Sequence, residues 1–172
     1  MPHPLMKRKF WVFDMDGTLT IAKHDFANMR QELGLPTHQP ILESLAELPP
    51  EVAAPIWIHL QELELEIARK SQPADGAAEL LTYLTDQQAH YGILTRNSLH
   101  NTEITLKAAG LWDYFAPHLI ISRDCATPKP HPAGIERLLS QWQGTPEHAV
   151  MVGDFIYDLH AGRAANTATL YI

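Results

Sequence analysis

Two aspartates, Asp14 and Asp16, follow directly after the apolar run KFWVF at residues 9–13. Side chains at positions i and i+2 of an extended chain point to the same side, so both carboxylates would face one place. Carboxylates that meet in this way repel each other and need a cation between them. Oxygen ligands select a hard cation, and we predict Mg²⁺.

Three other apolar runs are also followed by polar groups. The run at residues 90–94 is followed by Thr95, Arg96 and Asn97, and the run at residues 118–122 is followed, after a short loop, by Lys129. The run at residues 148–152 is followed by Asp154 and Asp158. A hydroxyl and backbone amides can donate hydrogen bonds to phosphate oxygens, and a lysine supplies a point positive charge. Together with a metal, these groups describe a site for phosphoryl transfer, in which a carboxylate can act as the nucleophile.

The four apolar runs, with a fifth at residues 168–172, predict short buried strands. Helical patterns separate the last four runs, and alternation of this kind predicts βαβ units and an α/β fold with a parallel sheet. Ligands of such sheets bind beyond the carboxyl ends of the strands. The polar groups that follow the runs should therefore converge at one edge of the sheet.

Residues 21–73 interrupt this alternation with helical patterns alone. The first predicted helix has Asp25 as its N-cap and Gly34 as its stop. The longest carries Leu60, Leu63 and Ile67 on one face, a stripe typical of core or cap packing. We therefore predict an α/β core domain formed by residues 1–20 and 74–172, with a small all-helical cap formed by residues 21–73.

Four segments resemble the ordered motifs of the haloacid dehalogenase superfamily. They are DMDGTLT, ILTRN, TPKPHP and VGDFIYDLHAGRAAN, and the similarity spans residues 9–172. The resemblance is greatest to phosphatases with a helical cap after the first motif, the phosphoglycolate phosphatase and β-phosphoglucomutase type. It implies an α/β core with a doubly wound parallel sheet of the Rossmann-like type. It also implies Mg²⁺-dependent hydrolysis of a small-molecule phosphomonoester through an aspartyl-phosphate intermediate.

The resemblance also implies a role for each site residue. Asp14 would be the nucleophile and Asp16 the general acid and base, while Thr95 and Lys129 would hold the transferring phosphoryl group. Mg²⁺ would be bound by the Asp14 side chain, the Asp16 backbone carbonyl and the Asp154 side chain. Asp158 would order either a metal-bound water or Lys129. Arg96 is an additional candidate for phosphate binding, with solvent exposure as the equal alternative.

The sequence departs from the family pattern at three places. Phe155 stands where a serine often follows the Gly-Asp pair, and Arg96 intervenes before Asn97 in the second motif. The chain ends at Ile172, within the fifth predicted strand, where members of the family usually continue with further helix. The sequence leaves open whether the chain is truncated there.

Composition limits the partners that we expect. The net charge of −7 argues against nucleic acid or an anionic membrane, and no apolar run approaches the length of a membrane span. The single cysteine, Cys125, suits a reducing compartment, and a cytoplasmic location is predicted. The expected partner is a small phosphorylated metabolite, with the oligomeric state left open. The ten histidines lack metal-binding spacing, and His24 and His131 lie nearest the predicted site.

Two alternatives share much of this pattern. A phosphomutase of the β-phosphoglucomutase type would use the same motifs, and the sequence does not separate it from a phosphatase. A non-enzymatic phospho-acceptor domain, similar to a response-regulator receiver, would also combine acids, a threonine, a lysine and Mg²⁺. Receivers lack a carboxylate at the position of Asp16 and lack a helical insertion such as residues 21–73, so these two features favour an enzyme.

Overall fold

The computed structural model describes residues 4–172 and contains five strands and seven α-helices within that range. The strands are β1 (Phe10–Phe13), β2 (His90–Leu94), β3 (Ile120–Ile121), β4 (Ala149–Gly153) and β5 (Ala168–Tyr171). The helices are α1 (Phe26–Glu32), α2 (Ile41–Ala46), α3 (Pro50–Arg69), α4 (Ala77–Asp86), α5 (Leu99–Ala108), α6 (Ala133–Trp142) and α7 (Ile156–Ala164).

All five strands form one parallel sheet in the order β3-β2-β1-β4-β5. Strand β1 is central, and Phe10 is in register with His90 of β2 on one side and with Ala149 of β4 on the other. Both faces of β1 are covered, which explains why its four residues are all apolar and buried. The predicted doubly wound parallel sheet is confirmed.

Alternate residues of β1 face two separate cores. Trp11 and Phe13 pack with residues of α4 and α5, including Leu81 and Leu106. Phe10 and Val12 pack on the opposite face with residues of α6 and α7, which include Ile135, Leu138 and Ala161. Two apolar layers therefore hold β1 and fix the position of the chain that leaves its carboxyl end.

Helices α1, α2 and α3, which lie between β1 and β2 along the chain, form a third apolar cluster. The Asp25 side chain caps α1 by accepting a hydrogen bond from the Asn28 amide at 3.0 Å, as predicted. Leu60 is fully buried in this cluster, with Leu63 and Ile67 packed against it, so the predicted packing role of this stripe is confirmed. The domain boundaries at residues 20/21 and 73/74 stay a prediction.

Strand β3 is shorter than predicted. We expected a strand over residues 118–122, whereas only Ile120 and Ile121 pair with β2. Pro117 begins a 3₁₀ turn over Pro117–Leu119, and this turn takes His118 and Leu119 out of the strand. Among residues 4–172, no helix combines the length and apolarity that a membrane crossing needs.

Candidate active site

The chain segments that leave β1, β2 and β4 meet at one edge of the sheet. The Asp14 amide continues the ladder by donating to the Val152 carbonyl at 2.9 Å, and the Thr95 amide donates to the Ile121 carbonyl at 3.0 Å. Gly153 ends β4, and Asp154 follows it. The convergence expected from the motif order is therefore present in the fold.

Lys129 lies at the centre of this edge and is almost fully buried. Its Nζ atom is 2.5 Å from Oδ1 of Asp14 and 2.7 Å from Oδ1 of Asp158. The other oxygen of Asp158 accepts a hydrogen bond from the Phe155 amide at 3.0 Å, which fixes this carboxylate at the start of α7. Asp158 is thus fixed at the start of α7, and its contact with Lys129 keeps the ammonium group next to Asp14.

Burial dominates the ionisation of Asp14. The pKa of Asp14 is raised to about 7. Removal from water is the largest cause, the Lys129 ammonium opposes it, and the Asp158 and Asp16 carboxylates add to the rise. Burial lowers the pKa of Lys129, but Asp14 and Asp158 outweigh that effect, and the net pKa of Lys129 is raised. Lys129 therefore carries a charge, while Asp14 needs additional positive charge to remain fully ionised at neutral pH.

A group of three carboxylates could bind a cation that provides this positive charge. Oxygen atoms of Asp14, Asp154 and Asp158 all lie within 4.8 Å of one another. Burial and the Asp158 carboxylate both raise the pKa of Asp154, so an ion between these groups would relieve a real repulsion. An all-oxygen donor set suits a hard cation such as Mg²⁺.

Asp16 has surroundings that differ from those of Asp14. The Asn97 side-chain amide donates to Oδ2 of Asp16 at 3.5 Å, and Nδ1 of His24 is 3.9 Å from Oδ1. Burial raises the pKa of Asp16, whereas His24 and Asn97 lower it by smaller amounts. A carboxyl group with a raised pKa can carry a proton at neutral pH, which suits a group that exchanges protons. The backbone carbonyl of Asp16 is the predicted metal ligand, and that role stays a prediction.

Thr95 is buried directly beyond β2, and its Oγ1 atom accepts a hydrogen bond from the Asn97 amide at 3.0 Å. This bond uses the hydroxyl only as an acceptor and leaves its proton able to donate to another oxygen. The position and donor capacity of Thr95 are compatible with the predicted phosphate contact.

The Arg96 side chain is partly exposed and pairs with other protein groups. Both oxygens of Glu43 lie 2.7 Å from Nη2 of Arg96, and Nη1 donates to the Lys129 carbonyl. The guanidinium also lies over the Tyr157 ring, 5.0 Å from its centroid. Its contact with phosphate stays a prediction.

Two features of this region had no clear signal in the sequence. His24 stacks on Phe26 and reaches Asp16, although only its closeness to the first motif suggested such a contact. Glu43 comes from a helix 53 positions before Arg96, and a pairing over that distance has no local pattern. His131, the other histidine that we considered, is exposed and accepts a hydrogen bond from the Ala133 amide at the start of α6.

Comparisons with known proteins place this geometry in a family. A family model described as haloacid dehalogenase-like hydrolase matches residues 21–172. A pyrophosphatase PpaX of Listeria innocua is 30% identical over 92% of this chain and 80% of its own length. A phosphoglycolate phosphatase of Nitrosococcus oceani is 36% identical over 58% of this chain and 44% of its own length.

Solved structures share the fold. A predicted phosphoglycolate phosphatase of Haemophilus somnus superposes with a TM-score of 0.75 at 20% identity, over 95% of this chain and 84% of the other. The predicted family and the predicted assignment as a hydrolase are confirmed, and relatives of the chain are named as phosphatases. The chain belongs to the haloacid dehalogenase-like hydrolase family.

Proposed function

We propose that this protein hydrolyses small phosphomonoesters, with Asp14 as the nucleophile and with Mg²⁺ bound by carboxylates at the carboxyl edge of the sheet. The observation that carries the proposal is the contact between Asp14 and a buried, charged Lys129, next to the three-carboxylate group of Asp14, Asp154 and Asp158. A bound Mg²⁺ would neutralise charge on the transferring phosphoryl group. A relative named phosphoglycolate phosphatase supports phosphomonoesters as the substrate class, and a relative named pyrophosphatase supports phosphoryl hydrolysis in general.

The residues of this chain divide the work according to their surroundings. Asp14 would attack phosphorus through a carboxylate oxygen and so release the alcohol of the substrate. Asp16, whose pKa is raised, would give its proton to the departing oxygen and then take one from the attacking water. Lys129 would stabilise the negative charge of the phosphoryl oxygens throughout, since Asp14 and Asp158 fix its position.

A cavity of about 270 Å³ is lined both by the helical insertion and by the core. Leu42, Trp57 and Gln61 come from the helical insertion, and Ser98, Arg123, Asp124 and Pro128 come from the core. Ser98 follows Asn97 in the chain and Pro128 precedes Lys129. A space of this size suits the leaving group of a small metabolite.

The test combines phosphate release with detection of the intermediate. Purified protein with Mg²⁺ should release inorganic phosphate from members of a phosphomonoester panel, and acid quenching with ³²P-labelled substrate should leave label on Asp14. Asp14→Asn should abolish both signals, while Asp113→Asn, which changes an exposed acid on a distant turn, should preserve both.

Other outcomes would identify the alternatives. A product that retains the phosphate at a new position would indicate a phosphomutase. Stable label on Asp14 without phosphate release would indicate a phospho-acceptor domain. Activity of Asp14→Asn within tenfold of the wild-type value would rule out Asp14 as the nucleophile.

A further inference from the structure

Two arginine–glutamate pairs join the helical insertion to the core, and they are built differently. In the first, Arg123 and Glu64 form two parallel contacts, Nη1 to Oε1 and Nη2 to Oε2, each 2.8 Å long. Glu64 also accepts a hydrogen bond from the side-chain amide of Asn101 at 3.1 Å. Both side chains are nearly buried, at 8% and 10% exposure. This pair has its hydrogen-bonding groups satisfied and its geometry fixed.

The second pair, Arg96 and Glu43, is more open. Both carboxylate oxygens share the single nitrogen Nη2, because Nη1 is held by the Lys129 carbonyl. The two side chains are 21% and 40% exposed, and water can reach the Glu43 carboxylate. An ion pair in such a setting contributes little to stability, and a competing anion can replace the carboxylate at little cost.

Arg96 is also placed to meet a substrate. It follows Thr95 in the chain, and its guanidinium contacts the backbone of Lys129, whose ammonium touches Asp14. The Arg96 guanidinium also lies over the Tyr157 ring, a contact that does not involve Glu43. The nearby Arg123 is neutralised by its buried partner Glu64. Of these two arginines, Arg96 is therefore the one whose carboxylate partner, Glu43, a substrate anion can replace.

We propose that Arg96 binds a second anionic group of the substrate, a carboxylate or a further phosphoryl group, and that Glu43 occupies this position until substrate binds. The proposal rests on the proposed phosphatase function and deepens it by naming the substrate class: phosphomonoesters whose leaving group carries its own negative charge. Glu43 acts here as an internal competitor, and Arg96 determines specificity.

The test compares two inhibitors of p-nitrophenyl phosphate hydrolysis that differ only in the distal group. The probes are 2-phosphoglycolate, which carries a carboxylate, and 2-hydroxyethyl phosphate, which carries a neutral hydroxyl at the same place. Glu43→Gln should lower the inhibition constant of 2-phosphoglycolate about two- to fivefold, the value of a surface ion pair. The constant of 2-hydroxyethyl phosphate should stay unchanged. Arg96→Gln should raise the first constant about tenfold and leave the second within twofold.

Glu47→Gln is the matched control, since Glu47 is an exposed glutamate at the end of the same helix and pairs with Gln39. It removes the same charge from the insertion and should alter neither constant. Equal effects of Arg96→Gln on both probes would place the guanidinium on the transferring phosphoryl group and overturn the proposal. An unchanged ratio of the two constants in Glu43→Gln would overturn it as well. Failure of the wild-type protein to release phosphate from any member of the phosphomonoester panel, p-nitrophenyl phosphate included, would instead overturn the phosphatase assignment itself.

Discussion

At the scale of single residues, two aspartates that are two positions apart have different partners. Asp14 contacts the Lys129 ammonium, whereas Asp16 faces the side-chain amide of Asn97 and the ring of His24. Burial raises the pKa of both, but only Asp14 has a permanent cation in contact. The surroundings therefore suit one carboxylate to attack and the other to exchange a proton.

Substitution of Asp16 should separate these roles. Asp16→Asn removes the proton donor, so we expect the first step to slow about 10²–10⁴-fold on substrates with a poor leaving group. A good leaving group needs no acid, and p-nitrophenyl phosphate should lose much less. Stopped-flow measurement should then show a burst of nitrophenol followed by slow turnover, because the second step still lacks its base. Equal losses of burst rate on good and poor leaving groups would limit Asp16 to holding the metal.

Lys129 should matter for both catalysis and stability. Lys129→Ala removes a charge aimed at the phosphoryl oxygens, and we expect a loss of about 2–4 kcal/mol of transition-state stabilisation in kcat/KM. It also leaves Asp14 and Asp158 buried without their cation, so thermal unfolding should occur at a lower temperature. Lys107→Ala, which changes an exposed lysine on α5, is the control for both measurements. A normal kcat/KM in folded Lys129→Ala would remove Lys129 from the site.

At the scale of elements, the turn after β1 has to pass close to the segment after β4. Gly17 has a φ of +86°, and a Cβ atom at this position would collide with the Asp154 carboxylate. Only glycine therefore allows the first-motif turn to sit against the predicted metal ligand. The approach of these two segments depends on the absence of one methyl group.

Gly17→Ala should accordingly displace Asp154 and weaken metal binding. Gly34→Ala is a matched control, because Gly34 also has a positive φ, +67°, but its Cβ would meet no atom within 4 Å. Both variants should lose about 1 kcal/mol to backbone strain. Only Gly17→Ala should also lose the rise in melting temperature that we expect Mg²⁺ to produce in the wild-type protein. An equal Mg²⁺ response in both variants would show that this turn does not shape the metal site.

Most elements of the fold could be predicted from sequence because their signals are local. The continuous apolar run of β1 and the cap and stop residues of α1 depend on neighbours within a few positions. The predicted length of β3 was wrong, because the turn that begins at Pro117 includes residues whose apolar pattern also suits a strand. The Glu43 contact could not be foreseen, because tertiary packing alone brings α2 to the end of β2.

At the scale of the whole molecule, charge sets the conditions under which the site can work. The protein has a net charge of −7. Asp14 and Asp158 contact the buried Lys129, with Asp154 close to both carboxylates and Asp16 two positions after Asp14 in the chain. An anionic substrate would meet a repulsive field at such a site unless a bound cation reversed it. The same repulsion acts on the folded protein in the absence of metal, so it should be visible in stability.

Asp154 offers the test. Burial and Asp158 raise its pKa above the model-peptide value of 3.8, which means that the folded state binds this proton more tightly than the unfolded state does. The resulting destabilisation is absent below the unfolded pKa and is complete once the pH exceeds the folded pKa. In EDTA, Asp154→Asn should therefore melt a few degrees above the wild-type protein at pH 8, and the difference should shrink as the pH approaches 4.

Addition of Mg²⁺ at pH 8 should reverse this order. An ion bound between the carboxylates stabilises the folded wild-type protein by mass action, whereas Asp154→Asn has lost one ligand and should respond weakly. Differential scanning fluorimetry with and without Mg²⁺ measures both effects, and Asp113→Asn, at an exposed turn, is the control. If Asp154→Asn melted below the wild-type protein in EDTA at pH 8, favourable partners would have to hold the Asp154 carboxylate in the metal-free fold. The site would then have no electrostatic need for a cation.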